Sequence, residues 1–408
     1  MKFSKLRQLF LVSAIGLLVA TFLTACQLVT IDYVFLATST ATPTCSGGEI
    51  QTFAVDSQSG ALRTGAKSAC DTGVDPVALA VSSSYTNLYV ANAGDNTVVH
   101  YAVGSDGVLT SKDSVTLDGP PVSLAVDTTG TYLYVVSGST TATLTEFALS
   151  SGAIGSPTAT ENLVIPGATG DSVAPTGVFV LANNGTVQGH AVYATAYDRS
   201  SYNPGGTTTS NAHPGWVFGF SIGSGGALAP ASNSPYQAGV KPTALVVDPT
   251  NRFVYVTDFA SNQLIAYGIN SGSTLNFLVN GPFRTGNEPS SIAIDPRGKY
   301  LYVANQLDSS VNAYVIDSAT GTPSAAVNPT GSAVNSTDTE PVSIAVDPAL
   351  GRFVYTANFL GNSISGFRLD PNAGTLAVTQ ATPYPSNKNP TAVAIVPHGN
   401  HSLQVVAP

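Results

Sequence analysis

The strongest constraint on the fold of this chain is a repeat of roughly fifty residues. A proline followed by an apolar segment recurs with successive copies 45 to 67 residues apart. These prolines are Pro76, Pro121, Pro175, Pro242, Pro289, Pro341 and Pro390. In the copies before the last, the apolar segment is followed by a turn, such as DPTNR or DPRGK, a segment with a central tyrosine, a third apolar segment and a weaker fourth. Four short antiparallel strands in a period of this length are typical of a β-propeller blade.

The two ends of the sequence supply the parts of one shared blade. TAVAIV after Pro390 reads as a first strand, whereas YVFLAT, EIQTFAVD and ALRTG near the N-terminus read as second, third and fourth strands. We therefore expect an all-β fold over residues 31–408, a seven-bladed β-propeller of four-stranded antiparallel blades closed by pairing N- and C-terminal strands. SLQVVA, residues 402–407, competes for the second-strand place. The first strands show little polar alternation, so we expect them to be buried on both faces.

The N-terminal segment has the order of features found in an export signal. MKFSKLRQ carries positive charge, LFLVSAIGLLVATF is apolar, and Leu23-Thr24-Ala25-Cys26 follows. This end resembles the lipobox of bacterial lipoproteins, which implies cleavage after residue 25, acylation of Cys26 and a short tether over residues 26–30. We expect an extracytoplasmic protein held to a membrane by lipid, in the periplasm or at the outer membrane if the cell has one. An ordinary secretory signal is the alternative.

The composition excludes nucleic acid as a partner. Charged residues make up 10% of the chain and hydrophobic residues 43%, which is enough to bury a large core. Loss of Lys2, Lys5 and Arg7 with the export signal lowers the net charge from −9 to −12. No cluster of lysine and arginine remains to neutralise a phosphate backbone. We expect a monomer without a cofactor.

Two cysteines remain in the mature chain. Cys45 and Cys70 flank the hairpin EIQTFAVD–SQSG–ALRTG, which brings Cys70 opposite a position about two residues from Cys45. Disulfides persist in oxidising compartments, so we expect this pair to be bonded. Two unpaired thiols are the alternative.

A short segment with a tyrosine recurs after turns of the DP-x-G-R type, as LYVAN, VYVTD and VYTAN. They resemble the YVTN-repeat seven-bladed propellers, and among these the lactonase-type group with 6-phosphogluconolactonase and the fungal muconate-lactonizing enzymes. The resemblance covers nearly all of the mature chain. It implies lactone hydrolysis, in which a carboxylate moves a proton and arginines stabilise developing negative charge.

The catalytic pattern that this resemblance implies is not matched. The family's enzymes open one first strand with Pro-Arg-His and carry Asn-Glu-Leu after the second strand of that blade. Here Ser290 and Ser291 follow Pro289, and Gln306 stands in the place of the glutamate. A glutamine cannot take a proton near neutral pH, and serine lacks the charge of arginine. The chain therefore keeps the blade and departs from the family's catalyst.

Charged residues just before the recurrent prolines are the candidates for a different site. Loops that enter the first strands emerge on the usual binding face of a propeller, at the mouth of the channel. Our catalytic candidates are Glu288, Glu340, Arg284 and Arg199. Our candidates for ligand binding are Asp75, Lys241, Tyr202, His213, Trp216 and Gln306. The competing interpretation is a solvated charged rim.

The longest insertion, TAYDRSSYNPGGTTTSNAHPGWVFGF, supplies several of these candidates from the third blade. Its aromatic and polar groups are suited to stacking on a sugar ring, although Trp216 is equally suited to anchoring the next strand. The histidines are too scattered for a metal site, and we expect none. Two functions follow: an exported hydrolase of a lactone or sugar derivative, or a non-catalytic propeller that binds a glycan, peptide or envelope protein.

Overall fold

Seven antiparallel sheets form the protein. The computed structural model describes residues 29–39, 45, 47–65, 69–70, 72–138, 141–168, 172–182, 190–202, 214–404 and 406. The predicted signal, the predicted lipidation site Cys26 and the candidate His213 lie outside these residues. In the described part, no helix has the length and apolar character needed to cross a bilayer. The all-β prediction is confirmed, because the helical elements among the described residues are short 3-10 turns such as Ser224–Gly226, Ser271–Ser273 and Gly399–Leu403.

The first three blades follow the predicted order of strands. Blade one comprises Pro76–Val81, Asn87–Asn92, Thr97–Val103 and Leu109–Thr116. Blade two comprises Pro121–Val126, Tyr132–Ser137, Thr143–Ser150 and Ala153–Asn162. Blade three comprises Val173–Val180, Ala191–Asp198, Gly215–Ile222, Leu228–Pro230 and Tyr236–Gln237.

In blades three to six the weak fourth strand is interrupted, and both of its pieces pair with the third strand. Blade four comprises Pro242–Val247, Phe253–Asp258, Gln263–Ile269, Leu275–Phe277 and Phe283–Arg284. Blade five comprises Pro289–Ile294, Tyr300–Asn305, Ser310–Ile316, Pro323–Ala325 and Val334–Ser336. Blade six comprises Pro341–Val346, Phe353–Asn358, Ser363–Leu369, Leu376–Val378 and Tyr384–Pro385.

Blade seven joins the two ends of the described chain, as predicted. Its strands are Pro390–Pro397, Thr30–Thr38, Glu49–Asp56, Leu62–Thr64 and Ala69–Cys70. The first two pair antiparallel from Asp32 opposite Pro397 to Thr38 opposite Pro390. Ser402 and Leu403 lie in a 3-10 turn, so the start of SLQVVA does not compete for this position. The apolar run from Val34 to Ala37 takes it instead, fully buried between its neighbours.

The first strands meet the expectation of burial only in part, since those of blades three and seven are mostly buried, whereas that of blade one is half-buried. In blades two, five and six their burial alternates from fully to partly buried, because these strands line the axial channel. Small hydroxyl side chains join adjacent blades there. Thr243 Oγ1 donates to the carbonyl of Pro289, Ser290 Oγ to that of Pro341, and Thr391 Oγ1 to that of Pro76, at 2.6–2.7 Å.

The tyrosine at the centre of the second strand connects neighbouring blades through a hydrogen bond. The hydroxyl of Tyr302 donates to the carbonyl of Gly374 in the next blade at 2.9 Å, and that of Tyr255 donates to Gly321 at 2.7 Å. Gly374 has φ +72°, and an added Cβ would lie 2.1 Å from the ring of Tyr300. A tyrosine on one blade and a glycine turn on the next therefore fix the spacing between blades.

Cys45 and Cys70 are bonded to each other, with Cα atoms 5.1 Å apart. Cys70 lies opposite Glu49 in the sheet. The fourth strand of blade seven is broken between Thr64 and Ala69, and the disulfide attaches its outer piece to the segment before the third strand. The bond thus supports the blade that closes the ring.

Candidate functional site

The residues that precede the first strands share one backbone arrangement. The carbonyl groups of Lys241, Glu288 and Glu340 accept hydrogen bonds from the residue after the second strand of the same blade, at 2.8–2.9 Å. These donors are the amide groups of Phe259, Gln306 and Phe359 respectively. The loop into the first strand and the loop after the second strand therefore meet at one rim. This rim, at the mouth of the channel, carries three charged side chains from blades four, five and six.

The two glutamates at this rim have a backbone conformation that glutamate rarely adopts. Glu288 has φ +55° and Glu340 has φ +62°. The equivalent residue of blade seven is Asn389, at φ +55°, and asparagine tolerates the left-handed region much better than glutamate does. The amide of Glu288 donates to Asn262 Oδ1 at 2.8 Å, which holds this conformation. Strained residues cluster at functional sites, so these carboxylates are the first candidates for chemistry.

Replacing Glu288 with asparagine is expected to raise the free energy of unfolding by about 0.5–1 kcal/mol, because asparagine relieves the left-handed strain. Chemical denaturation measures this directly. The matched control is Glu161→Asn, since Glu161 lies in a strand with ordinary backbone angles. A loss of stability in Glu288→Asn as large as that in the control would show that position 288 is not strained.

Lys241 lies in an aromatic pocket. Its Nζ is 4.3 Å from the ring centre of Phe259, 5.3 Å from Tyr202 and 5.9 Å from Tyr197, and the two tyrosine rings pack edge to face. Burial lowers the pKa of Lys241, and the nearby carboxylate of Glu288 opposes that shift. The same carboxylate is among the charges that act on Tyr202, whose pKa is raised mainly by burial. The structure thus brings together three predicted residues: Lys241, Tyr202 and Glu288.

Asp258 positions the loop that carries Lys241. Its buried carboxylate accepts hydrogen bonds from the amides of Val240 and Lys241, at 3.0 and 2.9 Å, and from the side chain of Gln263 at 3.0 Å. Sequence reasoning missed this residue, together with Tyr197 and Phe259. The available signal was the last position of VYVTD, where blades one, five and six have asparagine. A carboxylate at the end of a buried strand needs donors, and the nearest are the amides of the rim loop that precedes the first strand of the same blade.

Gln306 connects the two glutamates. Its backbone amide donates to the carbonyl of Glu288 at 2.8 Å, and its side-chain amide donates to the carboxylate of Glu340. The group at the position where the resemblance implies a carboxylate is therefore a hydrogen-bond donor. A glutamate at 306 would instead place two carboxylates in contact, and one of them would have to be protonated.

The remaining predicted residues lie further from this group. Arg199 is exposed, although its charge acts on Tyr197, and Arg284 is exposed on the outer edge of blade four, opposite Gln263. Asp75 occupies the rim position of blade one, on the opposite side of the ring, and burial raises its pKa. Trp216 is half-buried against the core between blades two and three, as an anchor for its strand would be.

A cavity without charged pairs lies at another part of the same face. It has a volume of about 490 Å³ and lies between blades one and two, with Thr116, Thr141, Thr143 and Asn162 among its lining residues. A second cavity, of about 210 Å³, lies beside Phe277 and Leu278 at the outer edge of blade four. Neither contains a charged pair of the kind found at the rim of blades four to six. The rim offers an ammonium group, two carboxylates and aromatic faces, which suit acid–base chemistry on a polar ring compound.

Comparison with solved structures shows how widely this fold is used. The periplasmic gluconolactonase of Pseudomonas aeruginosa is similar with a TM-score of 0.70 and 18% identity, over 90% of this chain and 99% of that one. A Bacteroides fragilis protein provisionally assigned as a 6-phosphogluconolactonase has a TM-score of 0.69 and 18% identity, over 90% and 98%. Hydrazine synthase of Kuenenia stuttgartiensis also matches, with a TM-score of 0.56 and 16% identity, over 80% and 94%. At these identities the likeness shows the fold alone.

The sequence itself matches a family over most of its length. No curated protein matches it significantly. The family described as lactonase, 7-bladed beta-propeller, matches residues 34–169 and 234–405. Blade three, which supplies Tyr197 and Tyr202, lies largely in the gap between these ranges. On this match the chain belongs to the seven-bladed β-propeller lactonase family.

Proposed function

We propose that the protein hydrolyses a sugar lactone at the rim of blades four to six. The observation that carries the proposal is the electrostatic coupling of Lys241 and Glu288: three aromatic rings flank the ammonium group, and the carboxylate, held in a strained conformation, is near enough to oppose the lowering of the pKa of Lys241. A surface without function would gain little from keeping glutamate in a conformation that asparagine adopts more easily.

The chemistry follows from the charges of these groups. Glu288 takes a proton from a water molecule, whose oxygen attacks the carbonyl carbon of the lactone. The ammonium group of Lys241 stabilises the negative charge that develops on the carbonyl oxygen. When the tetrahedral intermediate opens, the bond to the ring oxygen breaks, and Glu288 returns the proton to the alkoxide that leaves. The products are a free hydroxyl group and a carboxylic acid, which releases its proton to solvent near neutral pH.

The other groups at the rim suit a hydroxylated ring. Phe259 and Tyr202 offer apolar faces to the C–H groups of a sugar. Glu340, held by Gln306, offers a second carboxylate oxygen to a hydroxyl group of the substrate. These contacts would position the lactone and leave Glu288 available for proton transfer.

We also propose that this reaction takes place outside the cytoplasm, at a membrane surface to which acylated Cys26 holds the protein. The export signal read from the sequence supports this location, and the similar Pseudomonas protein is named periplasmic. Labelling of the full-length protein with a radioactive fatty acid in cells, and loss of the label in Cys26→Ser, tests the anchor.

The second candidate function is a non-catalytic propeller that binds a glycan, peptide or envelope protein. The observation that favours it is Gln306, since the family's pattern implies a proton-transferring carboxylate at that position and the side chain here is an amide. In this case the aromatic pocket around Lys241 would bind a ligand without turning it over.

A kinetic assay with glucono-δ-lactone separates the two functions. We expect the full-length protein to open the lactone faster than buffer does. Because burial lowers the pKa of Lys241, the ammonium group is lost at lower pH than in a free lysine. The enzymatic rate, corrected for spontaneous opening, should therefore fall as pH rises through that lowered pKa. Lys241→Arg, which stays charged, should shift this fall to higher pH.

The control for this assay is Lys112→Arg, an exposed lysine on the outer strand of blade one. Its pH profile should match that of the unaltered protein. An absence of hydrolysis above the buffer rate would contradict the proposed reaction and favour the binding function. A fall at high pH that is unchanged in Lys241→Arg would remove Lys241 from the reaction.

A further inference from the structure

Three buried ionisable residues meet where the ring closes, on the face opposite the rim. Asp32 lies in the N-terminal strand of blade seven, Asp347 at the turn after the first strand of blade six, and His401 in the 3-10 turn Gly399–Leu403. Asp32 and Asp347 have no exposed surface, and His401 is 5% exposed. One ligand atom from each residue lies within 4.8 Å of the other two.

Asp32 is an acidic residue at a position where blades four, five and six have a basic residue. In the strand registers it corresponds to Arg252, Lys299 and Arg352, which precede the second strands of blades four, five and six. In those blades a tight turn joins the first and second strands. Blade seven has no such turn, because its two strands come from opposite ends of the chain. The carboxylate is therefore a feature of the closing blade alone among these four.

The carboxylate of Asp32 lacks the partners that a buried anion needs. Neither of its oxygens has a hydrogen bond in the described part of the chain. Arg352, the nearest cation on the neighbouring blade, donates instead to the carbonyl of Ser57 at 2.8 Å. Asp347 is better satisfied, since it accepts from the amides of Ala349 at 2.9 Å and Arg352 at 3.1 Å. A buried carboxylate whose closest charged neighbour is the ring of His401 at 3.3 Å is poorly satisfied, so a further cation is the simplest explanation of this site.

The distances within the cluster match those between the ligands of a small cation. His401 Nε2 lies 3.3 Å from Asp32 Oδ1 and 3.3 Å from each oxygen of Asp347. A charged hydrogen bond is shorter, about 2.7–2.9 Å. Two ligand atoms at about 2.0–2.2 Å from one metal ion are themselves separated by roughly 3.0–3.4 Å. The distances from His401 to the two aspartates are therefore those expected between ligands of a common centre.

The other nitrogen of His401 is arranged as in a metal-binding histidine. Nδ1 lies 3.2 Å from Gln404 Oε1, an acceptor. A proton on Nδ1 therefore satisfies this contact and leaves the lone pair of Nε2 directed at the two carboxylates. Metal-ligating histidines commonly donate their second N–H in this way.

We propose that Asp32, Asp347 and His401 bind a divalent transition-metal cation of the Zn²⁺ class. The ion would be held by Nε2 of His401 and by carboxylate oxygens of the two aspartates, a ligand set that zinc accepts, with water completing its coordination. It would join three segments that are distant in sequence, the first strand of the described chain, the turn of blade six and the C-terminal turn. The bound ion would stabilise the closed ring. This inference is independent of the reaction proposed at the rim.

Metal analysis of the full-length protein tests the proposal. The protein, purified in detergent, stripped with EDTA and dialysed against ZnCl₂, should retain one zinc ion per chain by mass spectrometry. Zinc in large excess over its dissociation constant should raise the melting temperature by about 2–5 °C, because it binds the folded state alone. Both effects should be lost in Asp32→Asn and in His401→Gln. Asp32→Asn removes no hydrogen bond described for Asp32, so this variant should fold.

The matched control is His398→Gln. His398 lies three residues before His401 and packs against the ring of Tyr33 at 5.1 Å, outside the cluster. This variant should keep both the bound zinc and the rise in melting temperature. A chain that retains no zinc, or zinc that remains in Asp32→Asn, would overturn the proposal. The cluster would then be a buried hydrogen-bonded triad with His401 as the cation.

Discussion

Deleting residues 389–408 is expected to unfold or aggregate the protein. The deletion removes the first strand of blade seven, whose Val393, Ile395 and Val396 are at most 7% exposed. Burial of each large apolar side chain contributes about 1.5–3 kcal/mol, whereas a whole domain is stable by only about 5–15 kcal/mol. The N-terminal strand Thr30–Thr38 would also lose one of its two partners and present an open edge.

Thermal unfolding followed by circular dichroism, together with size-exclusion chromatography, measures this effect. The control is deletion of residues 404–408, which leaves both closing strands and the 3-10 turn in place. That shorter deletion should melt cooperatively and elute as the full-length protein does. Cooperative melting of the longer deletion near the full-length temperature would contradict closure through the chain ends.

Replacing Glu288 with glutamine is expected to reduce lactone hydrolysis by about 10²–10⁴-fold, the usual contribution of a general base. Glutamine keeps the size of the side chain and removes its ability to take a proton. Glu340→Gln should have a smaller effect, because Glu340 is proposed to position the substrate. In the double variant the activity should not differ from the buffer rate.

The measurement is kcat/KM of the full-length variants, with the melting temperature as a check on folding. Glu161→Gln, on the exposed fourth strand of blade two, is the control and should retain full activity. If Glu288→Gln kept more than about a tenth of the activity, general base catalysis by this residue would be wrong.

The architecture was accessible from the sequence because most blades repeat the same physical requirements. A tyrosine must cross to the next blade, a glycine must leave room beneath an aromatic ring, and an aspartate must cap the turn between strands. Such caps form at Asp248 and Asp295, whose carboxylates accept backbone hydrogen bonds at 2.6–2.8 Å. The burial of the first strands was predicted correctly only in part, because periodicity does not reveal which strand faces the channel.

The candidate site was predicted only in part, because it joins residues from several blades. Lys241, Glu288 and Tyr202 were found by their position before a proline or within a long insertion. Phe259 and Tyr197 were missed, since each lies at or just beyond the end of a second strand and carries no motif of its own. The cluster of Asp32, Asp347 and His401 depends on closure of the ring, which brings together residues from both ends of the chain.

The fold and the family do not determine which reaction takes place; the residues of the site do. Hydrazine synthase shares this architecture with proteins named for lactonase activity, so the propeller does not by itself determine a reaction. The family match omits most of blade three, and this blade supplies two of the three aromatic rings around Lys241. Substrate preference is therefore expected to depend on the residues of blade three more than on the strands that the blades have in common.

The most direct test of the proposed site is a crystal structure of the protein bound to gluconate, the product of the proposed reaction. We predict that its carboxylate contacts Nζ of Lys241, that its hydroxyl groups reach Glu288 and Glu340, and that its carbon chain packs against Phe259. Gluconate bound in the cavity between blades one and two, with the rim of blades four to six unoccupied, would contradict this assignment.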